Sequence, residues 1–230
     1  MKTIILCGGK SERLKNQQTD LPKPLWKIGD KPILWHVMKI YEKAGFTDFV
    51  LCTGYRHEDF AAYFDNHPVP GWQITFDHTS ENLGTAERIL SAMKYVDADF
   101  FCTYADGLSS LSVSDLLKNH QQAGKIATLT AVKPIIPYGI LEMDAHNIVT
   151  QFKEKSRSDH WINGGFFVFK PAVADYLRLG SMLENEPLST LAADRQLYAY
   201  LHEGAWQCMD TYKDFVTLNN LWLQGGSFWI

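Results

Sequence analysis

The sequence predicts an α/β fold with a mixed, mostly parallel sheet flanked by helices, and a smaller β-rich lobe in its second half. Through residues 1–133, short apolar runs alternate with longer amphipathic runs, which is typical of parallel strands connected by covering helices. From residue 134 the apolar runs lie closer together, separated by turn residues such as Asp144 and Asn147. We therefore expect one domain over residues 1–230, with a Rossmann-like half at about 1–133 and a second half at about 134–230.

Each predicted element follows from one of these patterns. In the first half, strands are expected at residues 3–7, 49–53, 73–77, 100–104 and 127–132, and helices at about 32–43, 57–64, 85–95 and 112–122. The last helix has favourable N-terminal signals, because Ser112 can cap it and Asp115 lies in its first turn. In the second half, strands are expected at residues 139–143, 148–153 and 165–169.

Composition excludes several classes of protein. The chain has 22 basic and 26 acidic residues, a formal charge of −4, so a nucleic-acid-binding basic surface is not expected. The four cysteines are dispersed without a C-x-x-C pair, as expected of reduced core residues in a cytoplasmic protein. We find no secretion signal and no apolar run long enough to span a membrane.

The most informative segment follows the first strand. Gly8 and Gly9 come directly after it, and they allow backbone N–H groups to approach phosphate oxygens without an intervening Cβ. Arg13 and Lys23 supply positive charge nearby, and Lys23 stands between two prolines that stiffen its segment. The pattern is neither a Walker loop nor a dinucleotide fingerprint, and a glycine pair alone is more often an ordinary turn.

Two other strand ends carry candidate residues, since ligands of open α/β sheets bind beyond the carboxyl ends of the strands. The third strand precedes Gly84 and Thr85, whose main-chain groups could meet a base edge or could simply open a helix. The fourth strand leads into Asp106 and Gly107, which suits either a carboxylate aimed at a metal ion or a plain Asp-Gly turn.

Taken together, these segments carry a family resemblance. Residues 8–14, 22–24, 82–86, 106–107, 154–155 and 163–165 resemble the motifs of the sugar-phosphate nucleotidylyltransferases, in family order and over nearly the whole chain. Residues 31–39, 162–167, 186–188 and 206–211 look more narrowly like those members that act on CTP and glucose 1-phosphate. The resemblance implies the nucleotide-diphospho-sugar transferase type of fold.

The resemblance also implies a reaction, in which a sugar 1-phosphate attacks the α-phosphorus of a nucleoside triphosphate and pyrophosphate leaves. Arg13 and Lys23 would be the catalytic cations, and Asp106 and Asp210 would hold Mg²⁺, which prefers oxygen ligands. The implied nucleotide-binding residues are Leu6, Gly8, Gly9, Arg13, Lys23, Gly84, Thr85 and Asp106. The implied acceptor-binding residues are Tyr138, Gly139, Glu154, Lys155, Asn163 and Gly164.

Purely structural explanations, without a ligand, compete with several of these assignments. Glu154 and Lys155 belong to a run of charged residues, and such runs usually lie on a solvent-exposed surface. Asn163 with the following glycines could form a bulged turn. The family usually has a further glycine and a threonine where residues 10–12 read Lys-Ser-Glu, which bears on substrate choice.

Three hypotheses about function remain open. The first is cytidylyl transfer from CTP to glucose 1-phosphate. The second is the same chemistry with UTP, GTP or dTTP, or with a non-sugar phosphate or phosphonate acceptor. The third is a nucleotide-binding module without turnover. The expected partners are small-molecule substrates, and the apolar run at residues 221–230 allows a homo-oligomer.

Overall fold

The computed structural model describes residues 1–9 and 21–230, and it is organised around one seven-stranded sheet. The strand order is β12-β8-β11-β6-β1-β4-β5, and only β11 runs antiparallel to its neighbours. The strands are β1 (Lys2–Leu6), β4 (Asp48–Thr53), β5 (Gln73–His78), β6 (Phe100–Tyr104), β8 (Ala127–Val132), β11 (Ile162–Phe169) and β12 (Leu197–His202). The predicted fold class is therefore confirmed.

Six helices cover the two faces of this sheet in the described part of the chain. They are α1 (Ile33–Glu42), α2 (His57–Asn66), α3 (Thr85–Ala92), α4 (Val113–Ala123), α5 (Glu186–Ala193) and α6 (Tyr212–Leu223). Helix α4 begins as predicted, since the Ser112 hydroxyl accepts from the Asp115 amide at 3.1 Å. None of the helices in the described ranges is long and apolar enough to cross a membrane.

The sheet separates two hydrophobic cores because the central strands are apolar on both faces. In β1, Ile5 packs into a core with α1, α2 and α6, while Ile4 packs into a second core with α3 and α5. This sandwich fixes the carboxyl ends of β1, β4 and β6 along one edge of the sheet, next to one another.

Three two-stranded sheets supplement the main sheet. They pair β2 (Lys27–Ile28) with β3 (Lys31–Pro32), β7 (Gly107–Ser109) with β13 (Trp206–Cys208), and β9 (Ile140–Met143) with β10 (Val149–Lys153). The β9–β10 hairpin supplies two of the three strands that the sequence predicted for the β-rich second half. Strands β11 and β12 of the second half join the main sheet instead, and the proposed division at residue 133 stays a prediction.

The sequence patterns missed several elements in the second half. Strand β11 begins at Ile162, three residues before the predicted start, because the bulge near Asn163 and Gly165 interrupts its apolar alternation. Strand β12 lies at the sheet edge and is largely exposed, and its apolar run at residues 197–201 is too short for periodicity alone to distinguish a strand from a helix. Helices α5 and α6 were also not predicted.

The C-terminal apolar run packs on its own chain. Trp229 is 1 % exposed, and its indole Nε1–H donates to His36 Nδ1 at 3.1 Å. The Trp222 ring lies edge-on to the His36 ring, with centroids 5.0 Å apart. These contacts give at least part of the apolar run an intramolecular role in the hydrophobic core.

We expect His36 to make the stability of the protein depend on pH. Because an indole N–H can only donate, His36 Nδ1 accepts, and His36 Nε2 carries the proton that it donates to the Ile28 carbonyl at 2.9 Å. Burial lowers the pKa of His36 below its ordinary value. The unfolded chain therefore binds more protons as the pH falls below about 6.5, and stability declines there.

Urea unfolding of the wild type and His36→Gln at pH 7 and pH 5 would test this expectation. The wild type should lose more unfolding free energy between the two pH values than the variant loses. His120 and His202 also have lowered pKa values, so part of the pH dependence should persist in the variant. Equal losses would contradict the role of His36.

Candidate active site

Two carboxylates that are distant in sequence come together beyond the end of β6. Asp106 follows β6, and the short strand β7 after it pairs with β13, so that Gly107 lies opposite Cys208. The Met209 amide donates to the Asp106 carbonyl at 2.9 Å, which places Asp210 beside Asp106. Carboxylate oxygens of both residues lie within 4.8 Å of each other and of Cys208 Sγ.

The Lys23 ammonium lies between these carboxylates. Its Nζ is 2.5 Å from Asp106 Oδ2 and 3.5 Å from Asp210 Oδ1, and its side chain is 12 % exposed. A short 3-10 turn, Lys23–Leu25, begins after Pro22 and directs Lys23 to this position. Burial acts to lower the pKa of Lys23, but the neighbouring acidic groups, Asp106 first and Asp210 among them, together outweigh burial and the pKa is raised. Lys23 is therefore a fixed positive charge at neutral pH.

The donor set of this cluster fits a hard divalent cation. Asp106 and Asp210 offer carboxylate oxygens, which such cations prefer over nitrogen and sulfur ligands. Burial and the two neighbouring carboxylates raise the pKa of Cys208, so its thiol remains protonated and is a poor ligand. The two aspartates are thus the residues of the cluster that would hold the metal.

A cavity of about 480 Å³ opens next to the cluster. Its walls come from the ends of β6, β11 and β13 and from the segment before α5. The lining residues are Thr103, Tyr104, Asp106, Gly107, Ile162, Asn163, Gly164, Gly165, Glu184, Trp206, Cys208 and Asp210. The structure thus brings the candidate acceptor residues Asn163 and Gly164 to the same cavity as the two aspartates.

Two hydrogen bonds hold the segment from Asn163 to Gly165 in place at this cavity. The Asn163 side-chain oxygen accepts from the Gly165 amide at 2.9 Å, and the Trp206 indole donates to the Gly164 carbonyl at 2.8 Å. Gly165 has a φ of +80°, and a Cβ there would lie 2.6 Å from the Tyr104 ring. A glycine is required at this position for both reasons.

Arg88 supports the glycine loop after β1, Gly8 and Gly9, through a hydrogen bond. The sequence patterns gave no role to Arg88. The Arg88 guanidinium donates to the Gly8 carbonyl at 3.1 Å, and a Cβ on Gly8 would lie 2.1 Å from Arg88 Nη1. Gly9, in contrast, has no neighbouring atom within 4 Å of its Cβ position among the residues that the structure describes. Leu6 at the end of β1 is only 8 % exposed and packs in the core.

Arg88 also ties this loop to the last residue of β4 and to the loop after β5. Its remaining bonds go to the Thr53 carbonyl, the Thr79 hydroxyl and the carbonyls of Ser80 and Glu81, at 2.6–3.3 Å. Arg88 is 3 % exposed, and these five accepting oxygens are all uncharged. A positive charge is therefore buried beneath the loop proposed to bind phosphates. An arginine between the buried Ala86 and Ile89 of α3 is the signal that could have identified it.

At the start of α3, polar groups of Gly84 and Thr85 already form hydrogen bonds within the protein. The Gly84 amide donates to the Glu87 carboxylate at 2.9 Å, and the Gly84 carbonyl accepts from the Arg88 amide. The Thr85 hydroxyl accepts from the Leu183 amide at 2.7 Å. Contact between these groups and a base therefore stays a prediction.

The four remaining acceptor candidates form a separate group at the open end of the β9–β10 hairpin. A Cβ on Gly139 would lie 3.1 Å from the Glu154 carboxylate, so these two residues adjoin. Tyr138 is 75 % exposed, and Lys155 is exposed with a φ of +51°. None of the four is among the described residues that line the cavity. Their role in acceptor binding stays a prediction, and Arg13 lies outside the described residues.

A strand-end cluster of lysine and paired aspartates beside a glycine loop is the arrangement of a phosphate-handling α/β enzyme. Residues 2–225 match the nucleotidyl transferase family, and the chain belongs to that family. Members of this family generally depend on a divalent metal, in keeping with the aspartate pair.

Curated relatives match over the whole chain or nearly all of it. The probable glucose-1-phosphate cytidylyltransferase of Bacillus subtilis (strain 168) is 40 % identical, and the match covers 100 % of this chain and 99 % of that protein. The glucose-1-phosphate cytidylyltransferase of Salmonella typhi is 38 % identical, covering 100 % and 98 % respectively. The mannose-1-phosphate guanyltransferase of Debaryomyces hansenii is 32 % identical, covering 97 % of this chain and 65 % of that protein.

Solved structures of similar fold extend the comparison. HddC from Yersinia pseudotuberculosis superposes with a TM-score of 0.77 at 21 % identity, covering 96 % of this chain and 99 % of that one. A putative glucose-1-phosphate thymidylyltransferase from Bacillus anthracis gives the same TM-score at 18 % identity, with 96 % and 94 % coverage. At these identities the two structures support the fold alone.

Proposed function

We propose that this protein transfers a cytidylyl group from CTP to glucose 1-phosphate and releases pyrophosphate. The observation that carries the reaction type is the Lys23 ammonium between Asp106 and Asp210, at the edge of a cavity that also holds Asn163. The choice of substrates rests on full-length relatives at 38–40 % identity that carry this activity in their names. The guanyltransferase relatives are less similar, so the alternative substrates are not better supported.

In the proposed step, a phosphate oxygen of glucose 1-phosphate attacks the α-phosphorus of CTP. A new P–O bond forms, the bond between the α-phosphorus and the bridging oxygen breaks, and pyrophosphate leaves with that oxygen. Such transfers need positioning and charge stabilisation more than covalent help from the protein. Lys23 would contact both the α-phosphate and the incoming phosphate, since its ammonium lies at the carboxylate cluster.

The metal in this proposal is Mg²⁺, coordinated by Asp106 and Asp210. When bound, it would neutralise phosphate charge. Arg88 would act on the nucleotide side by fixing the carbonyl of Gly8 toward the core, which leaves the opposite side of the loop for phosphate oxygens. Arg13 remains a proposed contact for the triphosphate. Tyr138, Gly139, Glu154 and Lys155 would complete the acceptor site from the hairpin.

A panel of triphosphates and acceptors, read by pyrophosphate release, tests the proposal. CTP, UTP, GTP and dTTP would each be paired with glucose 1-phosphate, mannose 1-phosphate, a phosphorylated alcohol and a phosphonate, with Mg²⁺ present. We expect the highest kcat/KM for CTP with glucose 1-phosphate. A preference for another triphosphate or a non-sugar acceptor would retain the reaction type and refute the substrate assignment. Nucleotide binding without pyrophosphate release from any pair would support a binding module instead.

A further inference from the structure

The start of helix α3 holds the chain segment that precedes α5. A Cβ on Gly84 would overlap the Ser181 carbonyl oxygen, so the backbone of this segment approaches α3 more closely than a side chain would allow. The Thr85 hydroxyl accepts from the Leu183 amide at 2.7 Å, and the Leu183 side chain is fully buried. Gly84 and Thr85 therefore fix residues 181–184 against the start of α3.

This segment presents the Glu184 carboxylate to the cavity beside the two aspartates. The Thr85 hydroxyl donates to one carboxylate oxygen of Glu184 at 2.8 Å, and the Tyr104 hydroxyl donates to the other. Glu184 lines the cavity together with Tyr104 and Asn163. The sequence patterns gave no role to Glu184. Two hydroxyl groups, one from α3 and one from β6, thus hold its carboxylate in a defined orientation at the cavity wall.

The Glu184 carboxylate has accepting capacity left for a ligand. An ionised carboxylate has about four lone-pair sites, and the two hydroxyl groups use only part of them. In the described part of the chain, no lysine, arginine or histidine forms an ion pair with Glu184, and none lines the cavity. The remaining lone pairs are therefore suited to uncharged donors of a molecule in the cavity.

The negative charge of Glu184 determines which part of an acceptor it can face. A carboxylate without a neighbouring cation repels a phosphate group, whereas it accepts a strong hydrogen bond from a neutral hydroxyl. Phosphate is attracted instead to the Lys23 ammonium and to the metal proposed at Asp106 and Asp210. In a sugar 1-phosphate, the hydroxyl groups of the ring are the donors that match Glu184.

We propose that Glu184 binds a hydroxyl group of the acceptor sugar directly, and thereby selects acceptors that carry a hydroxylated ring. This inference rests on the proposed function, because it takes the ligand of the cavity to be a sugar 1-phosphate. The hydroxyl donates to a Glu184 oxygen, while Thr85 and Tyr104 keep the carboxylate in place. An acceptor without that hydroxyl leaves a charged oxygen desolvated and unpaired, and sites built to bond a hydroxyl discriminate strongly against such analogues.

The test combines Glu184→Gln with acceptors that each lack one hydroxyl group. Glucose 1-phosphate and its 2-, 3-, 4- and 6-deoxy analogues are titrated by calorimetry with Mg²⁺ and non-cleavable α,β-methylene CTP present. Glutamine can keep both protein contacts, because its oxygen can accept from Tyr104 and its NH₂ group can donate to the Thr85 oxygen, but it lacks the charge. The unfolding midpoint of Glu184→Gln should therefore stay near the wild-type value.

We expect the wild type to bind one deoxy analogue about tenfold or more weakly than glucose 1-phosphate, as for loss of a hydrogen bond to a charged group. Glu184→Gln should bind glucose 1-phosphate about as weakly, and the same analogue hardly more weakly still, because both changes remove one interaction. The pyrophosphate-release assay should show the same pattern in the KM for the acceptor.

Two further variants separate recognition from a structural role. Glu186→Gln, exposed at the start of α5, is the matched control and should retain the wild-type affinities for all the analogues. Glu184→Asp keeps the charge but shortens the side chain by one methylene group. It should also lose the discrimination between glucose 1-phosphate and the deoxy analogue, because the carboxylate no longer reaches the hydroxyl.

The nucleotide also carries sugar hydroxyls, so 2′-deoxy-CTP and 3′-deoxy-CTP are compared with CTP in the pyrophosphate-release assay. A penalty for either that disappears in Glu184→Gln would place Glu184 at the ribose and overturn its assignment to the acceptor. Deoxy penalties that are identical in the wild type and Glu184→Gln would overturn the inference as well. Acceptor binding without pyrophosphate release from CTP would refute the proposed function alone.

Discussion

Replacement of Asp106 by asparagine is expected to lower turnover about 100-fold or more, the cost typical of removing one group that stabilises charge in a transition state. Asp106 is the closer of the two carboxylates to Lys23, at 2.5 Å from Nζ, and it is one of the two carboxylates proposed to hold the metal. Asparagine preserves the shape but not the negative charge. The variant should therefore both bind Mg²⁺ more weakly and hold Lys23 less firmly.

Pyrophosphate release at saturating CTP and glucose 1-phosphate, measured over a range of Mg²⁺ concentrations, would check this result. Asp65→Asn, on the exposed end of α2, is the matched control and should retain wild-type turnover. The unfolding midpoint should be measured for both variants, so that loss of turnover is not confused with loss of structure. Turnover of Asp106→Asn within about threefold of the wild type would refute the assignment of Asp106.

Replacement of Arg88 by methionine is expected to lower both stability and nucleotide binding. The five oxygens that accept from the guanidinium belong to the loop after β1, the end of β4 and the loop after β5, and methionine has a comparable length but no donor. Some of these oxygens keep a second partner; for example, the Tyr55 amide also donates to the Gly8 carbonyl at 3.3 Å. We expect a loss on the order of 3 kcal/mol, since hydrogen bonds to charged groups are each worth roughly 1.5–3 kcal/mol.

For a chain of this length, that loss corresponds to a fall in the unfolding midpoint of about 6–12 °C. Arg88→Lys separates charge from geometry, because lysine keeps the positive charge but cannot bridge these three segments with a planar fork. We expect Arg88→Lys to recover part of the stability while the KM for CTP remains raised. Lys118→Met, on the exposed face of α4, controls for loss of a surface charge. An unchanged midpoint and CTP KM in Arg88→Met would contradict the proposed role.

The sequence predicted the first half of the fold well because its signals are local. The strands that end near Leu6, Thr53 and Tyr104 are short apolar runs, and they occur within one residue of the predicted positions. The second half was predicted less completely. Strand β12 is an edge strand with exposed side chains, and the bulge near Asn163 breaks the alternation of β11.

The candidate site shows the same division between local and distant information. Asp106 and Lys23 were predicted as site residues because Asp106 lies just after an apolar strand and Lys23 stands between two prolines, and both signals are local. Arg88 was missed because a helical arginine is usually exposed, and only the packed structure shows it to be 3 % exposed. Glu184 was missed because its partners, Tyr104 and Thr85, are 80 and 99 positions away.

The sequence by itself determined the α/β class, the glycine loop and the identity of the charged groups, because these depend on residue types and short-range periodicity. Only the tertiary structure decided which of those groups meet. The pairing of β7 with β13 places Asp210 beside Asp106, and the packing of the segment before α5 onto α3 places Glu184 at the cavity. Such contacts depend on long-range strand pairing and burial of the whole core, which no local pattern in the chain encodes.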